Sequence, residues 1–199
     1  CKTGGRGGNA PALSFGKRGL NRVGGTRRDM DIVSLILLSV MPALVIVAGL
    51  KDLTTMRIPN WISLLLIVFF FPAALAVGLP LTTLATHIGV AFPALVVGAG
   101  MFALRWSGGG DAKLMAAACL WLGLEGSGMF LLWTGVMGGL FCLALLFARF
   151  HSRPYLAGAP GWVVSLMEPK GDIPYGVAIA AGALLAYPAS TLMALFRAG

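Results

Sequence analysis

The chain is predicted to be an all-α polytopic membrane protein with about six transmembrane helices. Three observations carry that prediction. The 199 residues are 58% hydrophobic and only 11% charged, with a mean hydropathy of +0.87, which is more apolar surface than a soluble chain of this size buries. The apolar residues gather into runs of spanning length, about 20 residues for a roughly 30 Å hydrocarbon core. Those runs also lack the two-residue alternation of a membrane barrel, so helices are expected rather than strands.

The spans are expected at 31–50, 61–79, 84–105, 111–123, 128–148 and 173–196, separated by Gly, Pro or charged residues. The fourth is short and either ends at Gly123 or continues through Leu124 toward Gly126. A short span beside an aspartate allows local bilayer thinning or water access. Orientation follows from the cations. Lys51, Arg57, Arg105, Lys113, Arg149, Arg153 and Lys170 fall on one face and Arg197 on the other, which makes the first face cytoplasmic by the positive-inside rule.

Residues 1–29 oppose that pattern. They hold Lys2, Arg6, Lys17, Arg18, Arg22, Arg27 and Arg28, and so most of the net charge of +8, on the side that would be translocated. The segment is Gly-rich, begins with Cys1 and has no apolar run of signal-peptide type. It is expected to be a disordered extension or a mis-called start, with the working domain at 30–199 beginning at Met30. A basic nucleic-acid-binding arm would need an aromatic or helical framework that this segment lacks, so no nucleic acid is expected as a partner.

Two carboxylates stand at the ends of apolar runs: Asp52, in Lys51-Asp52-Leu53-Thr54-Thr55-Met56-Arg57-Ile58-Pro59-Asn60, and Asp111, after Gly108-Gly109-Gly110. Ionised groups at membrane depth cost several kcal/mol, so they are expected to have a use. Peptide hydrolysis by two carboxylates needs one ionised to take a proton from water and one protonated to polarise the scissile carbonyl. Asp111 opens a helix, where free N–H groups favour an anion, and Asp52 closes one, where the dipole disfavours it. Asp111 is therefore assigned as the base and Asp52 as the proton donor.

The flanking residues fit the same task. Residues 108–110 allow backbone conformations closed to other residues and a close approach by an extended substrate. Pro59 biases Ile58 to an extended conformation, and Asn60 is a candidate cap for the second span. Lys113 is a candidate contact for an acidic substrate group or a positive-inside anchor. Each feature also has a plainer reading: Asp111 as an N-cap, Asp52 as a solvated loop charge, the glycines as a connector. The argument for catalysis is their coincidence on one membrane face.

Other polar residues carry less. Asp172 is expected to cap the last span, His87 and His151 to be interfacial or loop residues, and Trp162 to mark an interfacial segment. Cys119 and Cys142 fall in spans and behave as small apolar residues. There is no Cys-x-x-Cys pair, and no metal or other cofactor is expected. A small transporter or proton-conducting protein is the main alternative, but it calls for carboxylates near the bilayer midplane and an internal repeat.

The segments Asp52-x5-Ile58-Pro59-Asn60 and Gly108-x-Gly110-Asp111-Ala112-Lys113 resemble the paired signatures of type IV prepilin peptidases, intramembrane aspartic proteases of the Gly-x-Gly-Asp class. The run from Lys170 through Gly171, Asp172, Ile173, Pro174, Tyr175 and Gly176 resembles that family's third recognisable segment. The resemblance covers residues 30–196. It implies that Asp52 and Asp111 are the catalytic pair, with residues 108–110, Pro59, Asn60 and Lys113 close to substrate. It also implies an enzyme of the bacterial inner membrane that cuts prepilin leaders at the cytoplasmic face, just before the pilin's hydrophobic helix, in company with pilus assembly or secretion machinery. Larger members add a zinc-binding cytoplasmic domain and methylate the new N-terminus. This chain lacks the four-Cys cluster and the long loop between the first two spans, and so resembles the short, peptidase-only form of tight-adherence (Flp) pilus systems, without methyltransferase activity.

Overall fold

The computed structural model describes residues 16–105, 107–151, 160–168 and 173–198. All regular structure among them is helical: α1 (Gly16–Thr55), α2 (Asn60–Ala76), α3 (Leu81–Ala103), α4 (Gly109–His151), α5 (Gly161–Leu166), α6 (Tyr175–Ala186), a 3-10 turn (Tyr187–Ala189) and α7 (Thr191–Ala198). Met30–Thr55, Leu81–Ala103, Gly109–Phe150 and Tyr175–Ala198 are each long and apolar enough to cross a membrane, and Asn60–Ala76 is a shorter apolar helix. The chain is an all-α polytopic membrane protein.

The expected fourth and fifth spans are joined without a loop. At 43 residues a straight α4 would be about 65 Å long, twice the hydrocarbon core. It is broken at Gly123, where φ is 68° and ψ −169°. A Cβ added to Gly126 would lie 3.0 Å from the Leu122 Cβ, whereas residues four apart in a continuous helix keep their Cβ atoms about 5–6 Å apart. The chain therefore turns back at Gly123. The residues between 123 and 128, expected either to separate the fourth and fifth spans or to extend the fourth toward Gly126, belong to the start of the returning helix.

The first half of α4 is the centre of the bundle. Leu114, Ala118, Trp121 and Leu122 are fully buried there, with α2 and α3 packed around it. Small residues let the helices approach: Gly98 of α3 lies on Ala112, Gly182 of α6 on Thr134 in the second half of α4, and Gly49 of α1 on Ala180 of α6. Large side chains such as Phe92, Leu143 and Phe147 stay exposed on the outside, where lipid is the solvent.

With no water in a bilayer core, a broken helix must find new partners for its carbonyls. Pro42 sits inside α1 and cannot supply the N–H that would pair with the carbonyl four residues back. The Tyr187 hydroxyl donates to that Leu38 carbonyl instead, at 2.7 Å. At the Gly123 break, His87 Nδ1 pairs with the Leu120 carbonyl at 2.7 Å. His87 was expected at an interface and is 1% exposed; closing a helix end is what places it inside. Trp121 Nε1 ties the same region to α2 by donating to the Leu66 carbonyl at 2.8 Å.

The other boundaries also shift for physical reasons. α1 continues past Leu50 to Thr55, with the Thr54 and Thr55 hydroxyls bonded back to the Leu50 and Lys51 carbonyls, so Asp52 lies inside the last turn. The last expected span is split into α6 and α7 by the 3-10 turn carrying Tyr187. α5, which carries Trp162, packs against α1. Arg153, Lys170 and Asp172 lie outside the described residues, as does the side chain of His151.

Candidate active site

Two chain segments far apart in sequence bring their aspartates to one place. Asp52 projects from the last turn of α1 and is 6% exposed. Its Oδ2 accepts the Gly176 N–H at 2.7 Å, from the first turn of α6. Gly176 is there because nothing larger fits: an added Cβ would lie 2.7 Å from Ile58 Cδ1, 2.8 Å from Asp52 Oδ2 and 2.9 Å from Asp52 Cβ.

Asp111 lies in the first turn of α4, and its Oδ2 accepts the Gly108 N–H at 3.2 Å. The Gly108 carbonyl in turn accepts the first bond of the helix, from Ala112 N–H at 3.2 Å. Asp111 thus does what an N-terminal carboxylate does in many helices, but it also lines a cavity of about 300 Å³ together with Asp52, Met56, Arg105, Ser107, Gly108, Ile173, Pro174 and Tyr175. The two carboxylates are close enough to act on each other electrostatically. Two carboxyl groups facing one polar cavity can hold a water and divide the base and acid roles between them.

The helix-dipole argument for which aspartate is the base loses its force in three dimensions. Asp52 sits at the unfavourable end of α1, but it also accepts an N–H from the start of α6, the favourable end of that helix. Both carboxylates therefore have a helix N-terminus beside them.

The glycine triplet divides. Gly108 lines the cavity, but Gly109 and Gly110 are already in α4 rather than in an extended strand. An added Cβ on Gly109 would lie 3.3 Å from the Phe102 ring, and one on Gly110 3.0 Å from Ile58 Cβ, so these two glycines let α4 start against its neighbours. Pro59 is the residue preceding α2, extended at φ −68° and ψ 138°. The N-cap position falls on Pro59, so Asn60 is the first residue of α2 and not its cap; its Oδ1 accepts from Lys113 Nζ at 3.0 Å.

Asn60 and Lys113 line a different space, an apolar groove of about 760 Å³ walled by α2 and α3 and floored by Ala116, Ala117 and Leu120 of α4. Asp111 and Lys113 are two residues apart, hence about 200° around the helix, and face opposite ways. Met56, Arg105, Ser107 and the 173–176 stretch were not singled out individually from sequence as site residues. The signal for the last of these was the Pro-Tyr-Gly run that opens the final span.

A model of the type IV leader peptidase family matches residues 39–143, more than half of the chain. No curated protein and no solved structure matches. The matched stretch contains both aspartates and ends before α6.

Proposed function

Because the chain belongs to the type IV leader peptidase family, we propose that it is an aspartic endopeptidase with Asp52 and Asp111 as its catalytic pair. Its substrates are prepilins of the Flp type, cut at the cytoplasmic face of the bacterial inner membrane, and it does not methylate the product. The observation that carries this reading is the single cavity lined by both aspartates. One carboxylate takes a proton from a bound water as the water oxygen attacks the scissile carbonyl carbon. The other, protonated, donates to the carbonyl oxygen. Collapse of the resulting diol breaks the C–N bond, and the departing amine takes a proton back from the pair.

A cavity of about 300 Å³ has no room for a helix some 10–12 Å across, so the scissile segment enters extended, beside Gly108. The apolar groove between α2 and α3 suits the hydrophobic helix that follows the leader, with Asn60 and Lys113 among its lining residues, Pro59 just before α2, and Gly109 and Gly110 letting α4 start against its neighbours. The absence of methylation is supported by the turn between α1 and α2, which occupies only residues 56–59 and leaves no inserted domain there. The positive-inside pattern supports the cytoplasmic placement, and with it a position beside pilus assembly machinery.

Co-expression with an Flp-type prepilin tests the reading through the electrophoretic shift on leader removal. Asp52→Asn and Asp111→Asn are each expected to lower cleavage on the order of 10³-fold while the protein still accumulates in the membrane. Full cleavage by either variant overturns the assignment.

A further inference from the structure

The lateral groove between α2 and α3 is not apolar throughout. Its ammonium, amide and hydroxyl groups, those of Lys113, Asn60 and Ser63, all lie at one end, where α4 and α2 begin. The remaining lining is hydrocarbon or aromatic, as far as Phe71 of α2. Phe71 is eleven residues beyond Asn60, so the groove runs about 16 Å along α2, close to half of a roughly 30 Å hydrocarbon core. Ser63 is only 5% exposed, and its hydroxyl has no hydrogen-bond partner among the described residues. A hydroxyl shut in without a partner is costly in a bilayer, where no water is at hand to replace one. Lys113 Nζ has a neutral partner, Asn60 Oδ1 at 3.0 Å, and no carboxylate within ion-pair distance among the described residues.

We infer that this groove binds one anionic glycerophospholipid, drawn from the leaflet on the aspartate side, as its resting occupant before any substrate helix enters. The lipid phosphate pairs with the Lys113 ammonium, a compact point charge suited to phosphate, and accepts from the Asn60 amide. An ester carbonyl of the glycerol backbone accepts from the Ser63 hydroxyl, one helical turn or about 5 Å deeper. One acyl chain then fills the apolar length toward Phe71. The order of groups along the groove is thus the order of groups along such a lipid: anion, ester, hydrocarbon. A transmembrane peptide helix bonds its own carbonyls and leaves Ser63 unanswered, and a lipid of the general shell around the protein has no need of a hydroxyl. The inference goes beyond the peptidase reading and does not depend on it.

The test places the full chain in phosphatidylcholine vesicles and adds phosphatidylglycerol brominated on its acyl chains, which quenches the indole of Trp61, a residue of the groove lining that is 47% exposed. Trp61→Phe gives the background from the other tryptophans. Quenching of the wild type is expected to saturate at a mole fraction of brominated phosphatidylglycerol about tenfold below that needed with brominated phosphatidylcholine. Lys113→Gln should abolish this preference, whereas Arg57→Gln, which removes an exposed cation outside the groove, should keep it. Ser63→Ala should weaken binding of the diester lipid about threefold and leave that of its ether-linked analogue, which has no carbonyl, unchanged. In lipid-free detergent Ser63→Ala should not lower the Tm, as loss of a structural hydroxyl bond would. Asp111→Asn should bind the lipid as the wild type does, so the inference and the peptidase reading fail separately. Equal quenching by the two brominated lipids means general lipid contact only and overturns the inference. So does a preference lost equally in Lys113→Gln and Arg57→Gln, or an equal loss of diester and ether lipid in Ser63→Ala.

Discussion

The two ends of the buried half of α4 are built in opposite ways. At the Gly109 end the polar groups face a cavity: the Asp111 carboxylate, Ser107 and, across the space, Asp52 and Tyr175. At the Gly123 end they are buried inside the protein. His87 lies under Gly123 and stacks on Phe70 at 5.6 Å between ring centroids, and Phe70 meets Trp121 edge-on at 5.8 Å. His87 Nδ1 and Trp121 Nε1 pair with the Leu120 and Leu66 carbonyls. The lesson is a division of labour along one helix. An aromatic plug fixes its far end, so its near end can present an acidic side chain to an open, polar space without being held there by many contacts.

Breaking the closed end should have the largest effect on stability. Gly123→Val would force a β-branched residue to φ 68° and place its Cβ 2.7 Å from His87 Nε2, at a cost of about 3 kcal/mol or more. Membrane-inserted yield and Tm in detergent should fall steeply, with cleavage per surviving molecule much less affected. A stable Val variant would show that the plug does not fix the helix.

Disturbing the open end should separate activity from stability the other way. Gly176→Ala pushes on Asp52 and Ile58, and a displacement of about 1 Å at a reacting group can cost on the order of 10²-fold in rate. Cleavage normalised to inserted protein should drop by roughly that factor, with a Tm loss smaller than for Gly123→Val. Near-normal turnover would mean that Asp52 does not depend on the start of α6.

Two smaller effects sharpen the contrast. Tyr187→Phe leaves the Leu38 carbonyl without its partner and should destabilise by about 1–2 kcal/mol, read as a lower Tm with unchanged KM. Lys113→Gln removes a cation that faces the lateral groove rather than the aspartates, and its exposed bond to Asn60 is worth no more than about 1 kcal/mol. Cleavage should change less than about threefold, and a larger loss would bring the groove into the chemistry.

Much of this was legible in the sequence because hydropathy writes spans plainly and because charged residues are scarce enough in them to be noticed. Asp52 and Asp111 stood out for that reason, and the structure brings both to one cavity. Gly123 was legible only as one of two possible ends of the fourth span: in a chain with 28 glycines nothing local decides between it and Gly126, since what marks it is a positive φ and a histidine from another helix. Asn60 and Lys113 were visible as polar residues, but the face they occupy depends on α4 beginning at Gly109, so that Lys113 turns away from Asp111. Arg105 read as one more positive-inside cation, because nothing local shows that it lines the cavity with the aspartates. Gly176 was visible within a segment, but its bond to Asp52 spans 124 residues and no local pattern reports it.

The bond from Tyr187 to Leu38 also sets an order in time. The two residues are 149 apart in the chain, so at translation rates of about 5–20 residues per second the Leu38 carbonyl waits roughly 7–30 s for its donor. Asp52, on the same helix, waits in the same way for the Gly176 N–H. A nascent chain that has threaded four or five helices into the bilayer therefore has both aspartates but neither the settled first helix nor the cavity wall from 173–175. On the proposed reading, the aspartate pair lacks its complete cavity until the last helix docks against the first.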